Sequence, residues 1–410
     1  MTTTFKKLLL AVTCSSALLF TACGGDDNDF NFIRDKTFVS DAAYTQDGIE
    51  GAIIRVMTYK MPNVRDQKTE ATAMVFYPSA PRPVDGWRVV VWEHGTVGIA
   101  DHCAPSRNSL NPRFKAMAES LLAAGYMIVA PDYEGLGTPG IHPYLHLESA
   151  AQSAIYSVRA LKEDLGAHMH GAWMSVGQSQ GGHASLGTAE FANQDANYKG
   201  AVAAAPASSL GYIIAEVAPA AIHDLELAES VGLYPVRTAR NVYAELMAYA
   251  AYVAVGIKAY EPDFNYLSIF QPESQDIVPE AEGNNGENGQ CLDELMQSFR
   301  EDIDAFTENS DLAVADYPGL TANFQDNATI KQFLAINQPA TKKLDKPIMV
   351  IQGEADTAVP AAVTTALVDN LREMGTTVEY ELVPGASHTQ AIVQRNAELV
   401  RFIQTHMPAQ

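Results

Sequence analysis

Two periodicities alternate along the middle of the chain. Arg88-Val89-Val90-Val91-Trp92 and Tyr126-Met127-Ile128-Val129-Ala130 are compact apolar runs rich in β-branched residues, the mark of strands buried on both faces. Between them Phe114, Met117, Leu121 and Leu122 recur at helical spacing from Pro112 to Ala124, and Gly125 stops the pattern. Residues 146–165 repeat the helical pattern, with Ile155, Val158, Leu161 and Leu165 on one face. Ala172-Trp173-Met174-Ser175-Val176 predicts the next strand, the Ala-rich segment His183 to Phe191 the next helix, and Gly200 to Ala205 another strand. Upstream, Gly51 to Tyr59 and Ala71 to Tyr77 alternate apolar and polar positions and predict antiparallel edge strands, ended by Pro62 and Pro78. Strand and helix in alternation predict an α/β fold with a mostly parallel sheet covered on both faces.

The alternation stops at Pro206 and resumes about 140 residues later with Lys346-Pro347-Ile348-Met349-Val350-Ile351-Gln352. A connection that long must carry structure of its own. Its pattern is helical over Ser209–Glu229, Thr238–Tyr260, Leu292–Phe306 and Ile330–Ile336, which predicts a helical cap over the carboxyl edge of the sheet. Leu246 to Ile257 is apolar nearly all round yet too short to span a bilayer, so it is buried in the cap or lines an apolar pocket. The acidic, Asn/Gly-rich stretch Glu273–Gln290 reads as a solvated excursion and not as a calcium site. The sheet then finishes with a helix over Val363–Met374, a strand over Val378–Val383 and a last helix over Ala391–His406.

The ends change the picture. Lys6 and Lys7 precede an apolar run from Leu8 to Phe20, followed by Thr21-Ala22-Cys23-Gly24-Gly25. That order describes a signal peptide. Ala22-Cys23 also matches a bacterial lipobox, with Phe20 where the motif usually has Leu, and predicts lipidation of Cys23 after cleavage. Gly24 after the cysteine lacks the Asp that marks inner-membrane retention. The expected location is therefore extracytoplasmic, anchored by lipid in a bacterial outer membrane, with plain secretion as the alternative. The expected division is a signal peptide over 1–22, a tether and N-terminal segment over 23–50, a first core part over 51–206, the cap over 207–345 and a second core part over 346–410. Loss of the two lysines takes the formal charge from −22 to −24, which argues against nucleic acid and anionic lipid surfaces as partners. Once Cys14 and Cys23 are set aside, Cys103 and Cys291 remain. One disulfide is the only intramolecular pairing open to them in an oxidising compartment, the alternative being two buried thiols. No metal-ligand cluster of useful spacing appears, and the pattern specifies no oligomeric state.

The chemistry centres on Gly177-Gln178-Ser179-Gln180-Gly181-Gly182, between a predicted strand and a predicted helix. Strand, G-x-S-x-G, helix is a nucleophile elbow: a serine held in a tight, strained turn needs glycines beside it to avoid collisions. A serine nucleophile needs a base, and the base needs a carboxylate to fix its tautomer. In the expected order Ser, acid, His, the chain supplies Gly353-Glu354-Ala355-Asp356 after one strand and Pro384-Gly385-Ala386-Ser387-His388 after the next. Asp356 is the candidate acid, with Glu354 as its rival, and His388 the candidate base. His168 and His170 border a turn, His183 sits on the elbow helix, and His223 and His406 lie in helices. An oxyanion hole needs two backbone N–H groups. The amide of Gln180 provides one, and the loop Trp92-Glu93-His94-Gly95-Thr96-Val97-Gly98 presents the amide of Thr96, or less directly Gly95. The bland alternative for that loop is a glycine-rich turn.

With the elbow and the two late loops, three further segments carry a family resemblance over roughly residues 50–405. They are His94-Gly95-Thr96-Val97-Gly98, Cys103-Ala104-Pro105-Ser106 and Pro131-Asp132-Tyr133-Glu134-Gly135-Leu136-Gly137. Together they resemble the secretory lipase family, the fungal lipases of the A type and their bacterial relatives. The resemblance implies a serine carboxylester hydrolase of the α/β-hydrolase fold, with no cofactor and a small-molecule ester or acylglycerol as substrate. It also implies a helical cap between core strands six and seven, and a bond from Cys103 to a cap cysteine, here Cys291. The fungal members are freely secreted, whereas Cys23 predicts a lipid anchor here. Apolar residues of the cap, among them Leu210, Ile213, Ile214, Leu246 and Val253, point to an apolar acyl group. Two other classes compete: a serine peptidase on the same fold, which usually carries an added domain, and a silent binding protein, which the complete triad disfavours.

Overall fold

The computed structural model describes residues 36–409. The expected signal peptide, tether start and lipidated Cys23 lie outside the described residues. Nine strands form one sheet in the order β1-β2-β3-β5-β4-β6-β7-β8-β9. They are β1 Phe38–Ala43, β2 Ala52–Pro62, β3 Lys68–Pro78, β4 Trp87–Glu93, β5 Met127–Pro131, β6 Met169–Gln178, β7 Tyr198–Ala204, β8 Ile348–Gly353 and β9 Val378–Val383. β1, β2, β3 and β5 pair antiparallel, and from β5 through β4 to β9 every pairing is parallel. β1 lies in the 23–50 segment, where the sequence pattern predicts no strand. Its residues FVSDAA are mostly exposed at the sheet edge, so no apolar alternation betrays it. It also makes β2 an interior strand rather than an edge, and the long insertion lies between the two strands expected to flank it, numbered β7 and β8 once β1 is counted.

Every residue of β4 and β5 is buried, which explains their continuous apolar runs. The pleat divides them between two cores. Val90 and Ile128 pack with Phe114 and Leu121 of α1 (Pro112–Ala123) and Phe402 of α9 (Asn396–His406). Val89 and Val91 pack on the other face with Leu161 of α2 (Leu147–Leu165), Leu186 of α3 (Gln180–Phe191) and Leu367 of α8 (Ala361–Glu373).

The insertion between β7 and β8 contains α4 (Ala218–Ser230), α5 (Thr238–Ile257), α6 (Leu292–Ser310) and α7 (Ala328–Ile336). The single helix expected from Ser209 is interrupted: Ile213–Val217 forms a π-helical turn before α4. Pro219 has no N–H to give the preceding turn, which disfavours a regular α-helix there. Residues Met247, Tyr252, Phe270, Phe299 and Phe333 build a third core inside the insertion. Each such side chain contributes about 1.5–3 kcal/mol by its burial. The apolar run on α5 divides by face: Met247, Ala251, Tyr252 and Val255 enter this core, whereas Leu246, Tyr249 and Val253 face a cavity. Glu273–Gln290 is not the free excursion expected. Val278 and Ala281 are buried, and the Tyr252 hydroxyl donates to the Gln290 carbonyl at 2.9 Å. Among the described residues no helix is long and apolar enough to cross a membrane.

Cys103, after β4, and Cys291, at the start of α6, are joined by a disulfide across 188 residues of sequence. Beside it the Leu292 amide donates to the Val97 carbonyl at 3.0 Å. The crosslink thus ties the insertion to the loop after β4. Replacing both cysteines by serine should cost about 2–4 kcal/mol of stability, read from urea unfolding under non-reducing conditions. A variant with an unchanged midpoint would show that the bond constrains nothing that unfolds.

Candidate active site

Ser179 occupies the turn between β6 and α3, with φ 61° and ψ −119°. A serine at positive φ is strained by on the order of 1–3 kcal/mol and persists only where its surroundings dictate it. They do so by contact. A Cβ on Gly177 would stand 2.0 Å from the Gly181 carbonyl oxygen, and one on Gly181 would stand 1.8 Å from that of Glu93. The Ser179 amide donates to the Ala204 carbonyl of β7 at 2.9 Å, fixing the turn from the other side.

Gln180, the first residue of α3, is held through its side chain. His142 is buried, and its Nδ1 lies 2.7 Å from the Glu134 carbonyl oxygen, so Nδ1 carries the proton. His142 Nε2 then accepts from Gln180 Nε2 at 3.1 Å. Burial pushes the imidazole down to about 3, which keeps it neutral and suited to that accepting role. The opposing loop approaches closely, since a Cβ on Gly95 would meet the Gln178 carbonyl oxygen at 3.2 Å. Thr96 is anchored there by a 2.6 Å hydrogen bond between its Oγ1 and the Tyr144 hydroxyl. Among the described residues no hydrogen bond engages the Thr96 backbone N–H. The Gln180 amide, at the head of α3, has no acceptor a turn earlier within its helix.

Asp356 and His388 meet on the loops after β8 and β9. Asp356 Oδ2 accepts from His388 Nδ1 at 2.7 Å and from Gln352 Nε2 at 2.9 Å. Its Oδ1 accepts from the amides of Ala358 and Val359 at 2.9 and 2.8 Å. The carboxylate is therefore buried with four donors, and His388 Nδ1 carries the proton. Nε2 of His388 is buried and has no hydrogen-bond partner among the described residues. Glu354, the rival acid, is exposed and accepts from the Gly385 amide at 3.3 Å. Gln352, Gln180's partner His142, and Tyr144 were not singled out by the sequence. Gln352 stands one strand-to-loop step before Asp356, and nothing in its local pattern marks it.

Ser179 lies at the junction of two cavities. An open groove of about 870 Å³ is bordered by Thr96, Ser179 and His388, by the disulfide, and by Arg113, Glu245 and Asp293. A second cavity of about 80 Å³ is bordered by Leu210, Ile213, Leu246, Val253, Phe333 and Ser179 itself. His102 lies beside Cys103 and Cys291, but both sulfurs are committed to the disulfide and offer no thiolate to a metal.

The loop after β5 steadies this region from behind. Asp132 accepts from the Thr72 hydroxyl at 2.6 Å and the Ser106 amide at 2.9 Å. Glu134 accepts from the Val64 amide at 3.0 Å and the Ser149 hydroxyl at 2.5 Å. Burial raises Asp132 to about 6 and Glu134 to about 7.

A model of the prolyl oligopeptidase family matches residues 300–410. None of the curated proteins matches the chain. Among solved structures, a Legionella pneumophila protein described as a hydrolase is similar with a TM-score of 0.67 at 20% identity, over 91% of this chain and 100% of that one. The rice cell wall degrading esterase LipA of Xanthomonas oryzae is similar with a TM-score of 0.64 at 15% identity, over 91% and 98%. Candida antarctica lipase A in its closed state is similar with a TM-score of 0.62 at 16% identity, over 89% and 83%. The architecture is the α/β-hydrolase fold, and its solved neighbours include the fungal lipase type that the His94, Cys103 and Pro131 segments resemble.

The raised Glu134 group gives a signed pH dependence. Between the ordinary value of 4.5 and about 7 the folded chain keeps a proton that the unfolded chain releases. The contribution of Glu134 to stability therefore falls as pH rises through that window. Glu134→Gln removes the dependence, so the Tm of the variant relative to the parent should rise across it. Parallel Tm–pH curves for the two proteins would refute the assignment.

Proposed function

We propose that the protein is a serine carboxylester hydrolase that cleaves apolar acyl esters through an acyl-enzyme. The observation that carries the proposal is the His388 ring, pinned at Nδ1 by Asp356 and unpartnered at Nε2, on the same groove as Ser179. In this reading Ser179 Oγ attacks the ester carbonyl carbon and its proton passes to His388 Nε2. Catalytic hydrogen bonds of this kind commonly tighten only when substrate binds. The oxyanion is stabilised by the amides of Gln180 and Thr96. Collapse of the tetrahedral species breaks the bond to the alkoxide, which takes the proton back from His388. Water, deprotonated by His388, then attacks the acyl carbon, and the acid leaves as Ser179 recovers its proton.

The two cavities support a separate place for each half of the substrate. The residue that reprotonates the leaving oxygen borders the open groove and is not among those lining the apolar cavity. The alcohol therefore departs through the groove, and the acyl chain enters the apolar cavity. About 80 Å³ holds roughly five to eight water-sized groups, the bulk of a medium-length chain. Each methylene buried there gains about 0.8 kcal/mol. The motif at Ala22-Cys23 supports an exported, lipid-anchored enzyme. A serine peptidase is the second reading, favoured by the prolyl oligopeptidase match over residues 300–410.

Ser179→Ala should lower kcat on p-nitrophenyl esters by a factor on the order of 10⁴ or more. Asp356→Asn should cost on the order of 10⁴, while Glu354→Gln stays near the parent. Comparable losses at 354 and 356 would reverse the acid assignment. Activity should rise from C2 to C8 acyl esters and be absent on peptide anilides. The opposite preference, with anilides cleaved faster, would establish the peptidase instead.

A further inference from the structure

Among the residues that line the groove and the apolar cavity, two border both: Ser179 and Tyr249. Tyr249 projects from α5, and its hydroxyl donates to Glu245 Oε1 at 2.6 Å, one turn earlier on the same helix. Residues four apart on a helix share a face, so the carboxylate is placed to hold the ring. The same helix sends Leu246, Ala250 and Val253 to the apolar cavity and Glu245 to the groove. Tyr249 thus stands where the wall of one compartment becomes the wall of the other, and it borders the same two cavities as the nucleophile.

We propose that Tyr249 is the partition that decides which acyl groups pass into the apolar cavity, with Glu245 as the positioning residue that fixes its ring. The proposal rests on the ester-hydrolase reading, in which the acyl chain enters that cavity. An acyl group bonded to Ser179 must thread between the serine and the Tyr249 ring. A ring fixed by a hydrogen bond sets a constant gap, which admits an unbranched chain and rejects one branched beside the carbonyl. The tyrosine hydroxyl has one proton to donate, and the hydrogen bond to Glu245 uses it. Without that acceptor the ring gains rotational freedom and leaves a polar hydroxyl unpaired beside an apolar cavity, both of which loosen the gap. No part of this arrangement touches the hydrogen bond between His388 and Asp356.

The test compares p-nitrophenyl butyrate with its 2,2-dimethylpropanoate counterpart, using the purified full chain. The readout is the ratio of kcat/KM for the branched over the linear ester, normalised by fluorophosphonate titration of the active serine. A general folding defect lowers both rates and leaves the ratio alone. Tyr249→Ala should raise the ratio by about tenfold or more, the scale on which a pocket wall discriminates one or two carbon groups. Tyr249→Phe and Glu245→Ala should raise it less, by similar factors, because each removes the same hydrogen bond. Glu245→Gln, which keeps an acceptor, should return it toward the parent value. Ratios unchanged in every variant overturn the partition. A change in Tyr249→Ala alone overturns the role of Glu245. Should Tyr249→Ala fail to fold, Tyr249→Phe and Glu245→Ala decide the matter by themselves. If the parent fails to react with the fluorophosphonate, the ester-hydrolase reading falls first, and this is separable from a labelled enzyme whose ratios do not move.

Discussion

The structure depends on a squeeze at one point, where the turn carrying Ser179 presses on the end of β4. Gly177, Gly181 and the Glu93 carbonyl leave no room between them for even one methyl group. That contact does two things at once. It forces Ser179 into a positive-φ conformation, and it sets the residues after Glu93, from His94 to Thr96, beside the serine. Ser179 and the facing loop are therefore positioned by one steric constraint rather than by two independent ones. The space beneath is closed as tightly. The Glu93 carboxyl is wholly buried and accepts from the Thr188 hydroxyl of α3 at 2.8 Å. Burial holds that carboxyl far above the usual carboxylate range, which favours its neutral form under the elbow.

The remaining pieces are attached to that point by the ends of parallel strands. β8 and β9 pair in register through Gly353 and Val383, so the loops that follow them leave the sheet side by side. A Cβ on Gly353 would stand 2.3 Å from the Ala386 carbonyl oxygen, a measure of how closely the two loops pack. That closeness lets a short aspartate side chain reach His388. Four donors then occupy the Asp356 carboxylate, leaving it no freedom to turn away, and the imidazole inherits its rigidity.

The sequence made the parallel core legible because burial on both faces demands continuous apolar runs, and β4, β5 and β6 have them. Ser179, Asp356 and His388 were legible for a related reason: glycine spacing and strand ends restrict where such side chains can stand. What could not be read lies where tertiary contact overrides local pattern. β1 is an exposed edge whose hydrogen bonds come from β2 and not from its own composition. The π-helical turn before α4 follows from Pro219, yet a helical hydrophobic pattern spans both sides of it. Tyr249 and Glu245 show only as one apolar and one acidic position on a helix, and their place beside Ser179 exists only after the insertion folds over the core. His142 looks like any loop histidine until the chain brings it against Gln180.

The division of labour follows from these two kinds of constraint. Ser179, His388 and Asp356 stand on loops of the sheet, fixed by strand register and by glycine contacts that tolerate no substitution. The apolar cavity is walled chiefly by the insertion, whose helices have their own core in Phe270, Phe299 and Phe333. Leu246 and Tyr249 line the cavity without belonging to that core, so they can change in size without disturbing it. The disulfide and the Leu292–Val97 hydrogen bond hold this wall in register with the loop after β4. In the ester-hydrolase reading, bond cleavage is built into the sheet and acyl selection into the insertion. The two meet where Ser179 and Tyr249 both border the groove and the apolar cavity, and there rigid chemistry faces an adaptable wall.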